Sequence, residues 1–224
     1  MLTSLAMAIG SLVVHSGELQ MLTEAESVEL LRLDGGVSRD DRGYLVHIGS
    51  VEDTTKADEL CRLAARLPSL HELTVQACAV SAEGVRALAS ARNLEHLIFR
   101  GQNPPNDAYK ELKEVKSLRR LQCSLSITNV GLTSIGELNG LEELHLSGAS
   151  SVTEEGLQHL VTLQNLTFLD LGMTGVKTDL SALKKLPKLN KLDLMLTKVD
   201  DDALKTIAGM KSLETLYLSK SLIT

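Results

Sequence analysis

The sequence predicts an α/β repeat solenoid, in which a short strand, a turn, a short helix and a return segment are stacked unit upon unit. Two observations support this prediction. An apolar pattern begins again every 23 to 25 residues from residue 70 onwards. Hydrophobic residues make up 43% of the 224-residue chain, but aromatic residues only 2%, and there is no Trp. Aliphatic side chains must therefore fill the core, which suits thin, uniform layers that bury their apolar faces against one another.

Residues 1–18 form an apolar segment with two interpretations that the sequence leaves open. Residues 5–14 have the length of the apolar region of a signal peptide, although no Lys or Arg precedes them. The same run is also compatible with a helix that caps or packs on the array, and it is too short to span a bilayer. No other segment is apolar enough to cross a membrane. A cytoplasmic location is favoured over export.

Residues 19–69 are predicted to form an N-terminal cap of helix, hairpin and helix. Residues 19–34 carry apolar side chains at helical spacing. Gly35 and Gly36 are expected to end that helix, because glycine adopts the left-handed conformation at little cost. An Asp/Gly turn at residues 40–43 then separates residues 37–39 from residues 44–48, which is typical of a β-hairpin. We expect the second strand of this hairpin to be the first rung of the sheet.

The cap is predicted to end with an amphipathic helix at residues 54–67, in which Leu60, Leu63 and Leu67 face inward.

Residues 70–224 are predicted to form an array of six complete units and one partial unit. Each unit opens with L-x-x-L-x-apolar, whose alternating end has the period of a strand with one buried face. A second apolar set follows at spacings of five, three and three, which suits a turn leading into a short helix. The units begin at Leu70, Leu94, Leu118, Leu141, Leu166, Leu189 and Leu213.

The array resembles the leucine-rich repeat family over residues 70–224. The second halves AVSAEGVRAL, SITNVGLTSI and SVTEEGLQHL look like the bacterial subtype with the consensus T-x-[VI]-T-D-x-G-L-x-x-L. The stretch GGVSRDDRGYLVHI looks like the segment that precedes such arrays. The resemblance implies a ribonuclease-inhibitor-like horseshoe, with a parallel β-sheet on the concave side and short helices on the convex side.

Two units depart from the repeat pattern. The second has Pro104 where the others have Val or Ile, so either this unit has drifted or its stiff loop is a recognition loop. The fifth is one residue short before Leu180, which predicts a tighter turn or a 3₁₀ helix. After each strand a mostly small, polar residue recurs, and we expect such residues to hydrogen-bond the turn backbone. Thr174, Thr197 and Ser221 belong to this column.

The sequence contains no catalytic motif, so we expect neither enzyme activity nor a cofactor. It has no G-x-S-x-G, H-E-x-x-H, P-loop or G-x-G-x-x-G pattern. His96 and His145 share a face but lie two units apart, roughly 10 Å at the spacing of strands, and the three cysteines lack C-x-x-C spacing. No metal site is therefore predicted. Residues 200–202 are all Asp at a helix start, where capping is the better interpretation. The net charge of -6 excludes a general attraction to nucleic acid.

The third, fifth and seventh positions of each strand motif point away from the core and form the predicted concave surface. Arg100 and Arg120 are neighbours on it, and exposed Arg and aromatic side chains are enriched at binding hot spots. The alternative is an ordinary surface that binds nothing. The predicted partner-binding residues are His96, Ile98, Arg100, Arg120, Gln122, His145, Phe168, Asp170, Asp193, Met195 and Tyr217.

The sequence thus predicts a non-catalytic protein–protein interaction module that binds an unidentified protein on its concave sheet. Two alternatives stay open. One is an exported or surface recognition protein, which requires residues 1–18 to be a signal. The other is a substrate-recognition adaptor of a larger assembly, although such adaptors usually carry a docking domain. The seventh unit stops where its helix should begin, which predicts either self-association through the C-terminal end or a natural array that continued further.

Overall fold

The computed structural model describes the chain in six segments, with side chains from residue 56 onwards. The apolar segment 1–18 and the predicted helix 19–34 lie outside the described residues, as do Cys78 and Ser124. The described segments are residues 35–40, 43–48, 54–67, 70–76, 80–123 and 125–221.

One nine-stranded sheet runs through the described segments, and its strands are ordered as they occur in the chain. The first two strands pair antiparallel as a hairpin, and every later pair is parallel. The α/β solenoid predicted from the repeats is therefore confirmed. The hairpin begins at Gly35, so the glycines expected to end the preceding helix already belong to a strand. The strands are β1 (Gly35–Asp40), β2 (Gly43–Ile48), β3 (Leu70–Gln76), β4 (His96–Arg100), β5 (Arg120–Gln122), β6 (Glu143–His145), β7 (Phe168–Asp170), β8 (Lys191–Asp193) and β9 (Thr215–Tyr217).

Short helices follow the strands and lie on the side of each layer that is opposite the sheet. The first ends at Ala64, three residues earlier than predicted. Leu60 is fully buried, whereas Leu63 and Leu67 are only partly buried. The α-helices are α1 (Thr54–Ala64), α2 (Ala82–Ala87), α3 (Asn129–Ile135), α4 (Glu154–Leu157) and α5 (Asp201–Ile207). The 3₁₀ helices are Leu88–Ser90, Asn106–Glu114, Gln158–Thr162 and Ser181–Lys185, the last of them in the shortened fifth unit, as predicted.

The core is a column of aliphatic side chains between the sheet and the helices. Leu144, Leu169 and Leu192 are register partners on consecutive strands, and none has any exposed surface. Burying one such side chain stabilises the fold by about 1.5–3 kcal/mol. Each leucine packs between the layer before and the layer after it, so the units depend on one another for their stability.

The second unit enlarges the core with two aromatic rings. Phe99 and Tyr109 meet edge to face, with ring centroids 6.3 Å apart, and neither ring is exposed. The Tyr109 hydroxyl lies inside the fold, where burial raises its pKa well above the ordinary value of 10.0 and the neighbouring Cys123 raises it further. Burial also raises the pKa of the Cys123 thiol to about 12. At neutral pH Cys123 is therefore a protonated packing residue and a poor nucleophile.

The chain leaves most strands through a residue with a positive φ. Glycine fills this place in units two and four, which suits its freedom in the left-handed region. Four units have a larger residue there, and a left-handed conformation costs such a residue roughly 1–2 kcal/mol. The residues are Gly101 (101°), Leu125 (57°), Gly148 (84°), Met173 (54°), Leu196 (57°) and Lys220 (60°).

Small hydroxyl side chains close the turns of the last three units. Thr174, Thr197 and Ser221 each donate to the carbonyl oxygen three residues earlier, at 2.6, 2.6 and 2.9 Å. Both threonines are buried, so these bonds satisfy polar groups that would otherwise be costly inside the fold. The hydrogen bonds expected from this column of small residues are thus present in three consecutive units.

On the convex side, a polar side chain of one unit binds the residue that starts the helix of the next. Asn129 donates from Nδ2 to Thr153 Oγ1 at 2.8 Å, and its Oδ1 accepts the Thr153 N–H at 2.9 Å. Asn106 makes the same two bonds with Thr128, at 3.1 and 3.2 Å. We call this arrangement the convex ladder. At these two junctions it joins the helix start to the preceding unit by two hydrogen bonds.

The convex ladder explains a glycine in the second half of the repeats. A Cβ added to Gly156 would overlap Asn129 Oδ1, and a Cβ added to Gly131 would lie 2.6 Å from the Oδ1 of the preceding asparagine. In the first unit, Ala82 stands at the position that Asn106 and Asn129 occupy in the next two units. The helix of the following unit has Ala108 where α3 and α4 have the glycine. The glycine therefore makes room for the polar side chain of the unit before it.

Asp200 caps α5, as expected for an acidic helix start. Its Oδ1 accepts the N–H groups of Asp202 and Ala203 at 3.2 and 3.1 Å, and its Oδ2 accepts the Thr178 hydroxyl at 2.8 Å. The hydrogen bond from Ala203, followed by that from Thr178, lowers the pKa of Asp200 from its ordinary value of 3.8. The ionised carboxylate is thus the form that the fold favours.

Replacing Asp200 with Asn is expected to keep a cap while reducing the acid sensitivity of the fold. Because the folded-state pKa lies below the unfolded one, the carboxylate's contribution is complete above the unfolded pKa and is lost as the pH falls through the folded pKa. The melting temperature of the wild type should therefore drop more steeply below about pH 4 than that of Asp200→Asn. Asp107→Asn, which changes an exposed carboxylate in the first turn of another helix, is the control. Equal slopes for all three proteins would contradict the prediction.

Candidate partner-binding surface

The parallel register places the third and fifth residues of neighbouring strand motifs side by side on the concave face. Adjacent members of a column are about 4.8 Å apart. Arg100 and Met195 belong to the seventh-position column beside them. The third-position column is Glu72, His96, Arg120, Glu143, Phe168, Lys191 and Thr215. The fifth-position column is Thr74, Ile98, Gln122, His145, Asp170, Asp193 and Tyr217.

Exposure divides the predicted residues into three groups. Arg100, Met195 and Tyr217 are exposed. Ile98 is only 7% exposed, although it lies outside the buried core cluster. It lies beside Thr74, which is buried as well, because side chains on neighbouring strands crowd together on a concave face. The partly buried group comprises His96, Arg120, Gln122, His145, Phe168, Asp170 and Asp193.

His145 is the centre of a cluster that joins three strands. Its Nε2 lies 3.2 Å from Arg120 Nε and 3.5 Å from Glu143 Oε2, and its Nδ1 lies 3.7 Å from Asp170 Oδ2. The rings of His145 and Phe168 meet edge to face, with their centroids 4.9 Å apart. Four of these five residues were predicted from the sequence, and the structure brings them into contact. Glu143 was missed, although its place opposite Arg120 in the repeat register was the signal that could have found it.

The two arginines at the N-terminal end of the surface differ in their surroundings. Arg120 Nε lies 2.9 Å from Glu143 Oε2, with about two fifths of each side chain exposed. Arg100 is exposed, and no described residue forms an ion pair with it. The remaining pair at this end is His96 Nδ1 with Glu72 Oε2, at 3.3 Å. Arg100 therefore presents a positive charge to solvent, whereas the ion pair with Glu143 partly neutralises the charge of Arg120.

Two carboxylates lie side by side at the C-terminal end of the surface. Asp170 Oδ1 accepts the Gly172 N–H at 2.9 Å, and Asp193 Oδ1 accepts the Met195 N–H at 2.8 Å. Burial raises the pKa of Asp193, the Met195 hydrogen bond lowers it, and repulsion from Asp170 raises it further. The surface thus carries an exposed positive group at β4 and two neighbouring carboxylates at β7 and β8, and its third-position column adds Glu72, Glu143 and Lys191.

The described residues contain no group of three His, Cys, Asp or Glu side chains placed to hold a metal ion. Within the same part of the chain, no helix has the length and apolar character needed to cross a membrane. What the concave face offers is hydrogen-bonding groups, charge of both signs and a few exposed apolar side chains.

The model of the leucine-rich repeat region matches residues 48–224 of this chain. Among solved structures, an internalin (inlF) from Listeria monocytogenes superposes with a TM-score of 0.57 at 19% sequence identity, over 78% of this chain and 53% of that one. Internalin C2 of the same organism gives a TM-score of 0.55 at 18% identity, over 78% of this chain and 80% of its own. The chain thus spans about half the length of the first of these structures. The chain belongs to the leucine-rich repeat family.

Proposed function

We propose that this protein is a non-catalytic interaction module that binds a protein partner on its concave sheet. Family membership supports the class of function, because leucine-rich repeat regions are typically non-catalytic interaction modules. The observation that carries the choice of surface is the charge that the concave face leaves without an ion pair among the described residues, on Arg100 at one end and Asp193, beside Asp170, at the other. Complementary charge of this kind steers a partner and fixes its orientation.

Two features of the concave face support this choice further. Tyr217 and Met195 are exposed apolar groups on it, and aromatic residues and Met are enriched in interface cores. The His145 cluster holds the side chains of β5, β6 and β7 in defined positions. A partner that meets preformed side chains loses less conformational entropy on binding.

Charge reversal of Arg100 and Arg120 together is expected to weaken partner capture at least tenfold without unfolding the chain. The matched control is Arg92→Glu with Lys110→Glu, which makes the same change of charge at two exposed sites outside the sheet. The measurement is quantitative affinity capture from lysate of the native host, followed by identification of the bound proteins. Circular dichroism melting of each variant checks that the fold is kept.

Arg120→Glu also removes an ion pair, so a second variant separates binding from structure. A half-exposed pair of this kind contributes at most about 1 kcal/mol. Arg100→Glu alone leaves the His145 cluster intact and should reproduce part of the loss of capture. Unchanged capture by the double variant would place the partner site outside the N-terminal half of the concave sheet. Unchanged capture by Asp170→Asn with Asp193→Asn as well would contradict the proposal.

A further inference from the structure

A ridge of exposed apolar side chains borders the acidic end of the concave sheet. Met173 and Leu196 turn the chain after β7 and β8, and they are 50% and 46% exposed. Met195 and Tyr217 adjoin them on the concave side, at 36% and 46% exposure. We call these four residues the apolar ridge. The backbone N–H of Met173 donates to the Met195 carbonyl oxygen at 2.9 Å, so two of these residues lie on adjacent turns. Scattered single apolar residues on a surface are normal, but several on neighbouring turns beside a charged surface are typical of an interaction site.

The turns of the fold do not explain the large side chains of the ridge. Gly101 and Gly148 occupy the same turn position in other units with a positive φ. Leu196 and Met173 adopt this conformation at a cost that glycine does not have. Both keep about half of their surface in water, so the core gains only part of the benefit of burying them. A contact outside the chain would bury the rest.

The carboxylates next to the ridge are only partly neutralised. The Oδ1 atom of Asp170 and that of Asp193 are each occupied by a backbone N–H of their own strand end. Asp170 Oδ2 has His145 at 3.7 Å, whereas no described residue forms an ion pair with Asp193, not even Lys191 on the same face of its strand. The two carboxylates belong to adjacent strands, about 4.8 Å apart, so one guanidinium or ammonium group can reach both.

We propose that the apolar ridge and the pair Asp170–Asp193 together bind an extended segment of the partner protein in which an Arg or Lys is flanked by large apolar side chains. This inference rests on the proposed function and specifies the chemistry of the partner. The basic side chain lies between the two carboxylates, and the apolar side chains pack on Met195, Leu196 and Tyr217. A segment with Glu in place of the basic residue is repelled.

The test uses three pools of fluorescently labelled ten-residue peptides. The first combines Arg or Lys with Leu, Met and Phe, the second replaces the basic residue by Glu, and the third replaces the apolar residues by Ser. Fluorescence anisotropy with the full chain should detect binding of the first pool only. Its affinity should fall with increasing salt, because an exposed charge pair is screened.

Matched variants assign any binding to the ridge. Met173→Gly with Leu196→Gly should weaken the selected peptides at least tenfold, and Asp170→Asn with Asp193→Asn should weaken them and flatten the salt dependence. Leu125→Gly makes the same kind of change at the same turn position, away from the acidic pair, and should leave the affinity unchanged. All three glycine replacements introduce a residue that units two and four already use there, so folding should be preserved.

Three outcomes would overturn the inference. The first is equal binding of all three pools, or of none. The second is a loss of affinity in Leu125→Gly as large as that in the ridge variant. The third is a concentration-dependent dimer in light scattering that the ridge variant abolishes, which would assign the ridge to a second copy of the chain. If the Arg100 and Arg120 variant loses capture while the ridge variant keeps its affinity, the proposed function stands and this inference does not.

Discussion

Leu169→Ala is expected to reduce the free energy of unfolding by about 3–5 kcal/mol, the upper part of the range for a leucine-to-alanine change in a core. Leu169 has no exposed surface, and its register partners Leu144 and Leu192 are equally buried. The strands on either side are held by the backbone hydrogen bonds of the sheet, so they cannot move inward to fill the space. The cavity that remains adds to the lost transfer free energy.

Chemical denaturation followed by circular dichroism measures this effect. The control is Leu216→Ala, which makes the same change at the same strand position in β9, where the leucine is only partly buried. We expect it to cost about half as much or less, because less surface leaves water on folding. Equal costs at the two positions would show that burial between two layers is not the source of the difference.

Gly156→Ala is expected to destabilise the fold by about 1–3 kcal/mol, as overpacking does. Its Cβ would overlap Asn129 Oδ1 and lie 2.8 Å from Leu132 Cδ1. Asn129 cannot turn aside without losing its two hydrogen bonds to Thr153. The added methyl group therefore either breaks the convex ladder between these units or pushes them apart.

A double-mutant cycle with Asn129→Ala tests this explanation. The single change Asn129→Ala should cost about 1–2 kcal/mol, because the Thr153 backbone N–H and hydroxyl lose their partner. The double variant recreates the Ala82 and Ala108 combination already present between the first two units. Its cost should be smaller than the sum of the single costs by about 1 kcal/mol or more. Additive costs would mean that Gly156 is required for another reason.

The periodic features of this fold could be predicted from the sequence because they depend on local spacing. The alternation of buried leucines predicts the strands. The missing residue before Leu180 predicts a tighter turn or a 3₁₀ helix in the fifth unit, and Ser181–Lys185 forms a 3₁₀ helix there. The capping role of Asp200 is equally local. Such features need only the physics of a single unit and the assumption that neighbouring units repeat it.

The features that the sequence did not reveal depend on contacts between units. Ile98 occupies a position that alternation assigns to solvent, yet the concave packing beside Thr74 buries it. Arg120 and Glu143 are neighbours in the third-position column, but membership of a column does not by itself show which side chains pair. Met173 and Leu196 were not singled out either, since their positive φ values are a property of the folded turn. The candidate surface was therefore predicted as a face, but its internal pairings were not.

The convex ladder restricts how repeats of this array can be exchanged during evolution. A unit with Asn129 placed before the unit that carries Ala108 would force an oxygen and a methyl group into the same space. A unit with Ala82 placed before the unit that carries Gly156 would leave a hole and an unbonded helix start. Duplication or deletion therefore preserves the packing only where the ladder residue and the glycine travel together. The ladder residue and the glycine that accommodates it lie in consecutive repeats. The unit that must be copied intact is therefore the junction between two repeats, which is offset from the repeat seen in the sequence.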